Sequence, residues 1–502
     1  MRKDLFLKTL IYVPLVIFFS LFFSQKIHLV TQDLGRHITN GRIFIEKGII
    51  VSTNYYSYTE PTFEAINHHW LSGVIFYLVH KVWDFKGLSL FYLLISGLTV
   101  FFFFQTAKYK SDFNTAFLIT FLLIPLLSDR KEIRPEGFSY LFLGIYYYLL
   151  TLYYDKKIPF KPILPTILLI QLIWVNTHIF FIFGIFIITL FLVNHFIKTK
   201  EINRELTTLL VSSILVSLVN PYGISGLVEP FNIFRSYGYL IVENMSVFFM
   251  QKRAPEFKYI YVEILAIVWG YFAIHITLNK EIKKHFIHIV LTVVFMLMAF
   301  KINRIIPIFA MVLIPYIAEI FYEGMKDYGY KIPQWIIPTA ILISLIPGHY
   351  YSLLKPGIGI GLAENINASA DFFRETHIKG PIFNNYDIGG YLIYHLPDGE
   401  KVFVDNRPEA YSVSFFEDIY IPMQEKENIW EQMDKKYGFN TIYFYRRDAT
   451  PWAQPFLIRR IQDAIWVPIF VDNYTLIVIK NIKENEDIIK KHALPKEIFI
   501  TT

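Results

Sequence analysis

Apolar runs long enough to cross a bilayer recur about eleven times in the first two-thirds of this chain, and no soluble fold conceals so much apolar helix. The runs lie near 5–24, 87–106, 113–128, 137–154, 162–176, 179–197, 206–219, 259–278, 285–300, 304–322 and 333–348. The stretch from Ile163 to Ile197 would extend about 52 Å as one helix, so the polar Asn176-Thr177-His178 marks a hairpin within it. Of the 502 residues 54% are hydrophobic and only 18% are charged, where a soluble domain is about a quarter charged. Net charge is +6, with the basic residues at span ends instead of along one stripe, which argues against a nucleic-acid partner. Cysteine is absent, which removes disulfides, thiol nucleophiles and Cys-type zinc sites. Arg2 and Lys3 before Leu10 to Phe23 resemble a signal peptide, but Ser24-Gln25-Lys26 is a poor cleavage site, so a retained first span is expected.

Charge orients the spans. Lys108/Lys110, Lys156/Lys157, Lys198/Lys200, Lys280/Lys283/Lys284 and Lys326 fall on alternate connections, on the side of Arg2, Lys3 and Lys8. The positive-inside rule makes that side cytoplasmic. The loops 25–86, 129–136 and 220–258, and everything after Pro347, then face outward. The segment 68–84 is apolar but short, and His80, Lys81 and Asp84 interrupt its end, so it is expected to lie in the outer interface. The tail changes character. Strands are expected at 381–384, 401–405, 441–445, 465–471 and 474–480, with helices near 387–396, 426–437 and 453–463, a small α/β domain. The expected division is a transmembrane domain over 1–348 and a soluble domain over 349–502.

Polar clusters gather on the outer side. Asp33, Arg36, His37 and Asn40 share one helical face, with Leu34 and Ile38 towards the other. A carboxylate so placed suits a general base or a metal held against phosphate, and equally a local pair with Arg36 or His37. His68-His69-Trp70 offers metal or phosphate contacts, or part of an aromatic belt. The loop Asp129 to Glu136 holds Arg130 and Arg134, whose guanidinium groups suit phosphate, and Glu132 as a second acid; a solvated turn ending at Pro135 is the plainer alternative. Arg304 begins the tenth span and suits a lipid phosphate or a helix-end anchor. In the tail, Asp387 of Asn385-Tyr386-Asp387-Ile388-Gly389-Gly390 is placed to cap a helix, and Asp405 of Val402-Phe403-Val404-Asp405-Asn406 ends an expected strand. No Walker A, GxSxG or HExxH motif occurs.

These parts together resemble the GT-C glycosyltransferases, multi-span enzymes that take sugars from polyprenyl-phosphate or polyprenyl-diphosphate carriers, and most closely a bacterial branch of that superfamily. Asp33 in "QDLGRHITNGRIFIEKG" stands where the superfamily keeps its first-loop acid. His68-His69-Trp70 stands where many members begin a juxtamembrane helix, without the His-Pro-Pro motif. "NYDIGGYL" followed by "VFVDN" is similar to the Trp-Trp-Asp-Tyr-Gly region of oligosaccharyltransferase catalytic subunits, with Asn385-Tyr386 in place of two tryptophans. The resemblance implies a polytopic α-helical membrane protein of GT-C-like fold, with interface helices and an extracytoplasmic α/β domain, in a bacterial inner membrane. It implies transfer of a sugar from a polyprenyl-linked donor to an envelope lipid, glycan or protein. Asp33 and Glu132 would be catalytic, and Arg130, Arg134 and Arg304 would hold donor phosphate. His37, His68 and His69 would contact metal or phosphate, and Asp387 and Asp405 would lie on the acceptor side. A divalent metal (Mg, Mn or Zn) is the one cofactor envisaged. Protein oligosaccharyl transfer and a non-enzymatic role in polysaccharide assembly are the rival readings.

Overall fold

A computed structural model describes residues 19–232, 235–333, 335, 339, 357–397 and 399–499. In chain order the helices used below are α1 (Leu34–Lys47), α2 (Trp70–Lys110), α3 (Phe113–Leu127), α4 (Glu136–Tyr154), α5 (Phe160–Thr177), α6 (Ile182–Thr199), α7 (Arg204–Ser217), α8 (Ile224–Asn232), α9 (Val247–Arg253), α10 (Phe257–Leu278), α11 (Phe286–Lys301), α12 (Ile306–Asp327), α13 (Ala368–Glu375), α14 (Gly389–His395), α15 (Ile421–Glu425), α16 (Glu427–Tyr437), α17 (Ala453–Gln462) and α18 (Glu486–His492). The strands are β1 (Ile382–Asn384), β2 (Thr441–Tyr445), β3 (Trp466–Val471) and β4 (Thr475–Lys480). Expected spans 5–24 and 333–348 fall largely outside the described residues.

Two compact units emerge. One comprises Met1–Lys26, Leu88–Pro230 and Ile241–Ile360; the other comprises Ile27–Gly87, Phe231–Leu240 and Gly361–Thr502. This grouping cuts the chain differently from a single boundary at 348, because Ile27–Gly87 folds with the tail. Tyr58 Oη donates to the Ile382 carbonyl at 2.8 Å, and Ser57 Oγ donates to that of Phe403 at 2.8 Å.

The helical unit is built on α12, which is buried from Ile306 to Ile320 and packs against α3 and α11. Among the described residues, six helical segments have the length and apolarity to cross a membrane: Trp70–Lys110, Phe113–Arg130, Phe160–Thr177, Ile179–Thr199, Phe257–Leu278 and Asn303–Asp327. Some of the polar groups inside this unit pair with one another, which lowers the cost of an apolar surround. Tyr146 Oη donates to Gln171 Oε1 at 2.6 Å, and Gln171 Nε2 donates to Ser217 Oγ at 2.8 Å. The segment 68–84 is not a separate interfacial helix. It continues into the following span as α2, and Asp84 (φ 55°, ψ −162°) alone breaks the helical path.

The mixed unit carries a sheet of order β1-β2-β4-β3, with β1 and β2 parallel and the other pairs antiparallel. Four of the five expected strands form. The segment 401–405 does not, because its backbone is satisfied elsewhere: Val402 N donates to the Tyr56 carbonyl at 3.1 Å and Phe403 N to Asn384 Oδ1 at 2.9 Å. With no continuous partner strand, only an isolated bridge between Ser57 and Val402 remains. The core beneath the sheet is aromatic, with Phe383, Phe403, Trp430, Phe439 and Phe456 fully or nearly fully buried. Helix α1 packs on α14, and glycine makes this close approach possible. A Cβ on Gly35 would stand 2.6 Å from the Gly390 carbonyl oxygen.

Candidate active site

Asp33 immediately precedes α1, yet its side chain does not cap the helix. It turns instead to Asn406, whose Nδ2 donates to Asp33 Oδ1. The same amide uses its other end on a cation: Arg36 Nε donates to Asn406 Oδ1 at 3.2 Å. Arg36 Nη2 lies 3.9 Å from Asp33 Oδ2, so the local pair expected from spacing exists but is long. On the other side of α1, Leu34 and Ile38 are buried within the protein.

Strand topology brings two further acids together. Because β1 and β2 are parallel neighbours, their carboxyl ends lie on one edge of the sheet, the edge at which α/β folds place ligands. Asp387 follows β1 and Asp448 follows β2. Burial, then the charges of Asp448 and Asp33, push the Asp387 carboxyl up to about 7. Asp448 is held by Asn385 Nδ2 at 2.8 Å and by Thr450 N at 2.8 Å. Thr450 Oγ1 and Trp452 Nε1 nearby are buried without a hydrogen-bond partner. Tyr239 completes an aromatic wall, its ring 4.4 Å from Tyr386, 5.1 Å from Phe416 and 6.2 Å from Trp452, centroid to centroid.

Asp405 lies apart from this cluster in role. It is fully buried, and both its oxygens serve Arg407: Nε donates to Oδ1 at 2.8 Å and Nη2 to Oδ2 at 2.7 Å. Arg407 continues to the Thr53 carbonyl at 3.3 Å and to Asn54 Oδ1 at 3.2 Å, so this pair fastens the first outer loop to the tail. His37, His68 and His69 form a row, with His37 5.6 Å from His69 and His69 4.4 Å from His68 between ring centroids.

The arginines belong to the helical unit. Arg130 donates to Glu136 Oε1 at 2.6 Å and to Glu243 Oε2 at 3.0 Å. Arg134 pairs with Glu132 at 2.8 Å and with Glu243 at 2.7 Å. Burial would raise the Glu243 carboxyl, but Arg130, Arg134 and Arg304 outweigh it and hold the group well below the usual carboxylate range. The α11–α12 turn carrying Arg304 is tied to this segment by Asn303 Nδ2, which donates to the Val242 carbonyl at 2.9 Å. Arg304 itself is half-buried over the Phe180 ring at 5.8 Å and, among the described residues, has no carboxylate within 4.0 Å. Two of the three expected phosphate ligands are thus already engaged by glutamates, and one is not.

Sequence reasoning gave no role to Glu243, Asn406, Arg407, Asp448 or Tyr239. Asn406 and Arg407 stand directly beside Asp405, and Asp448 follows a predicted strand, so a signal existed for those three. Glu243 and Tyr239 come from a long loop without periodicity. Among the described residues, one group of three potential metal ligands has its atoms within 4.8 Å of one another, Glu281, His285 and Glu323, and it belongs to the helical unit.

No protein-family model matches the chain, and no curated protein is similar to it in sequence. Its fold does match solved structures. The archaeal oligosaccharyltransferase AglB from Archaeoglobus fulgidus, in complex with an inhibitory peptide and a dolichol-phosphate, superposes with a TM-score of 0.59 at 11% identity, over 93% of this chain and 73% of that one. The apo form of the Archaeoglobus fulgidus oligosaccharyltransferase gives 0.60 at 10% identity, over 94% and 74%. The form tethered to an acceptor peptide containing the NVT sequon gives 0.60 at 11% identity, over 96% and 75%. The chain therefore shares the fold of these structures, with several long apolar helices and a C-terminal part built on a small sheet.

Proposed function

We propose that this chain is a membrane glycosyltransferase that moves a sugar from a polyprenyl-phosphate or polyprenyl-diphosphate donor to an acceptor outside the cytoplasm. The observation that carries the reading is the acid cluster of the mixed unit: the first-loop Asp33 is seated by Asn406 of the tail beside Asp387 and Asp448. Three acids gathered at a sheet edge, one of them lifted by the charges of the other two, are what general acid–base or cation-assisted transfer requires. The likeness to oligosaccharyltransferases supports a lipid-linked donor and leaves a protein acceptor within the reading.

Asp33 is the base that takes the acceptor proton or orients the acceptor through a cation. Asn406 holds it in position, and Arg36 holds the other end of that amide. A hard divalent cation suits oxygen ligands, and it would relieve the repulsion that Asp448 and Asp33 exert on Asp387. Asp33, Asp387 and Asp448 would hold that cation, which when bound would stabilise negative charge on a departing phosphate. Asp387 serves better than Glu132 as second acid, since Glu132 is neutralised by Arg134. Arg304 is assigned to the donor phosphate, and Arg130 and Arg134 keep Glu243 fixed beside it. The wall of Tyr239, Tyr386 and Trp452 is assigned to the acceptor.

The test compares lipid-linked sugars and envelope glycans by mass spectrometry in a deletion strain complemented with wild-type, Asp33→Asn or Asp387→Asn protein at equal level. Accumulation of one polyprenyl-linked sugar and loss of its product in both variants is expected. Full restoration by Asp33→Asn would refute the role of this acid and favour an assembly function.

A further inference from the structure

A second polar cluster lies at the far ends of α11 and α12 from the turn that carries Arg304. His285 immediately precedes α11, whose 16 residues separate it from that turn by about 24 Å of helix. Its side chain is 1% exposed, and neither ring nitrogen makes a hydrogen bond among the described residues. Nε2 faces Glu323 Oε2 at 3.4 Å and Glu281 Oε2 at 3.8 Å, while Nδ1 faces Glu319 Oε2 at 3.4 Å. These separations exceed the roughly 2.7–3.2 Å of an N–H···O bond. They match the spacing of two ligand atoms around one ion, since tetrahedral bonds of about 2.0–2.2 Å put neighbouring ligands about 3.4 Å apart.

The surroundings complete the pattern. Lys284 Nζ bonds Glu323 through Oε1 at 2.7 Å, which leaves Oε2 turned to His285. Glu319 sits behind the imidazole with its Oε2 3.0 Å from His288 Nε2, and His288 Nδ1 is bonded in turn to Tyr147 Oη. A carboxylate behind the second nitrogen of a ligating histidine fixes its tautomer and strengthens the ligand.

We propose that Glu281, His285 and Glu323 bind one divalent cation of the zinc class, with Glu319 as the positioning carboxylate behind His285. One imidazole and two carboxylates suit Zn²⁺, and water would complete four-coordination. The ion clamps the segment before α11 to the last turns of α12. The site does not depend on the acid cluster of the mixed unit and stands whether or not that cluster catalyses transfer.

The experiment uses the full chain in detergent, stripped with EDTA, dialysed and titrated with Zn²⁺, with bound metal measured by mass spectrometry. Wild type is expected to bind one high-affinity Zn²⁺, His285→Asn and Glu323→Gln to lose it, and Glu319→Gln to keep the stoichiometry with affinity lowered about 10–100-fold. Co²⁺ added to the stripped wild type should give the intense visible bands of a four-coordinate site, a readout that needs no variant to fold. Absence of tight Zn²⁺ binding and of those bands in wild type would overturn the proposal, leaving a protonated His285 as the counter-charge to the glutamates. So would equal Zn²⁺ binding by wild type and His285→Asn.

Discussion

Replacing Asp387 by asparagine should stabilise the protein, and the gain should grow with pH. Burial and the charges of Asp448 and Asp33 move the carboxyl from 3.8 to about 7, a displacement worth about 4 kcal/mol. Between those two values the folded chain keeps a proton that the unfolded chain has released. Stability therefore falls as pH rises through the window, and the penalty is complete above about 7. Asp387 is only half-buried, so solvent screening reduces the expected effect to about 1–2 kcal/mol. Asparagine has the same shape and no charge, and so escapes the penalty. Thermal unfolding of wild type and Asp387→Asn in detergent, with EDTA present, measures the difference at pH 5 and pH 8. A gain of about 2–4 °C for each kcal/mol is expected at pH 8, and less than half of that gain at pH 5. An equal difference at both pH values would refute the argument, because only a titrating group produces the slope. Divalent cation added to wild type at pH 8 should recover part of the same stability, whereas the variant should respond weakly.

Three further outcomes follow from the geometry. Arg407→Ala leaves Asp405 as a buried charge without its partner and should cost about 3–5 kcal/mol in chemical denaturation; a loss below 1 kcal/mol would contradict the buried pairing. Arg304→Ala should raise the KM for the proposed lipid-linked donor with little change in melting temperature, whereas Arg130→Ala, which takes its arginine from Glu136 and one of two from Glu243, should lower the melting temperature first. Gly35→Ala drives a methyl group against the Gly390 carbonyl and the Tyr394 side chain and should cost about 1–3 kcal/mol, which parallel unfolding of Gly35→Ala and of a control with open space and ordinary backbone, Gly324→Ala, will show.

Much of the architecture is legible in the sequence because its signals are local. Helix length with apolarity, and the strand–helix alternation of the tail, each depend on neighbours within one turn or one strand. The expectation for 401–405 fails because Asn384 and Ser57 take up backbone groups that a strand partner would otherwise use, and alternating apolar residues cannot reveal that. Asp33 and Asp387 stand out in the sequence as acids near unusual polar runs. Their association does not, since it depends on Asn406, 373 positions from Asp33, and on the parallel pairing of β1 with β2. Arg130 and Arg134 look free in a charged loop, yet Glu243, 113 positions beyond Arg130, claims both.

Asn406 joins two opposite charges through the two ends of one amide. An amide cannot reverse those ends without turning its nitrogen to the guanidinium, so the contact is polarised: carboxylate on one side, cation on the other. The chain after Asp405 is thus registered on the start of the first helix by two opposite charges at once. A shift of that chain would disturb the carboxylate and the guanidinium together, so one amide makes a segment 373 positions away answer for the placing of both.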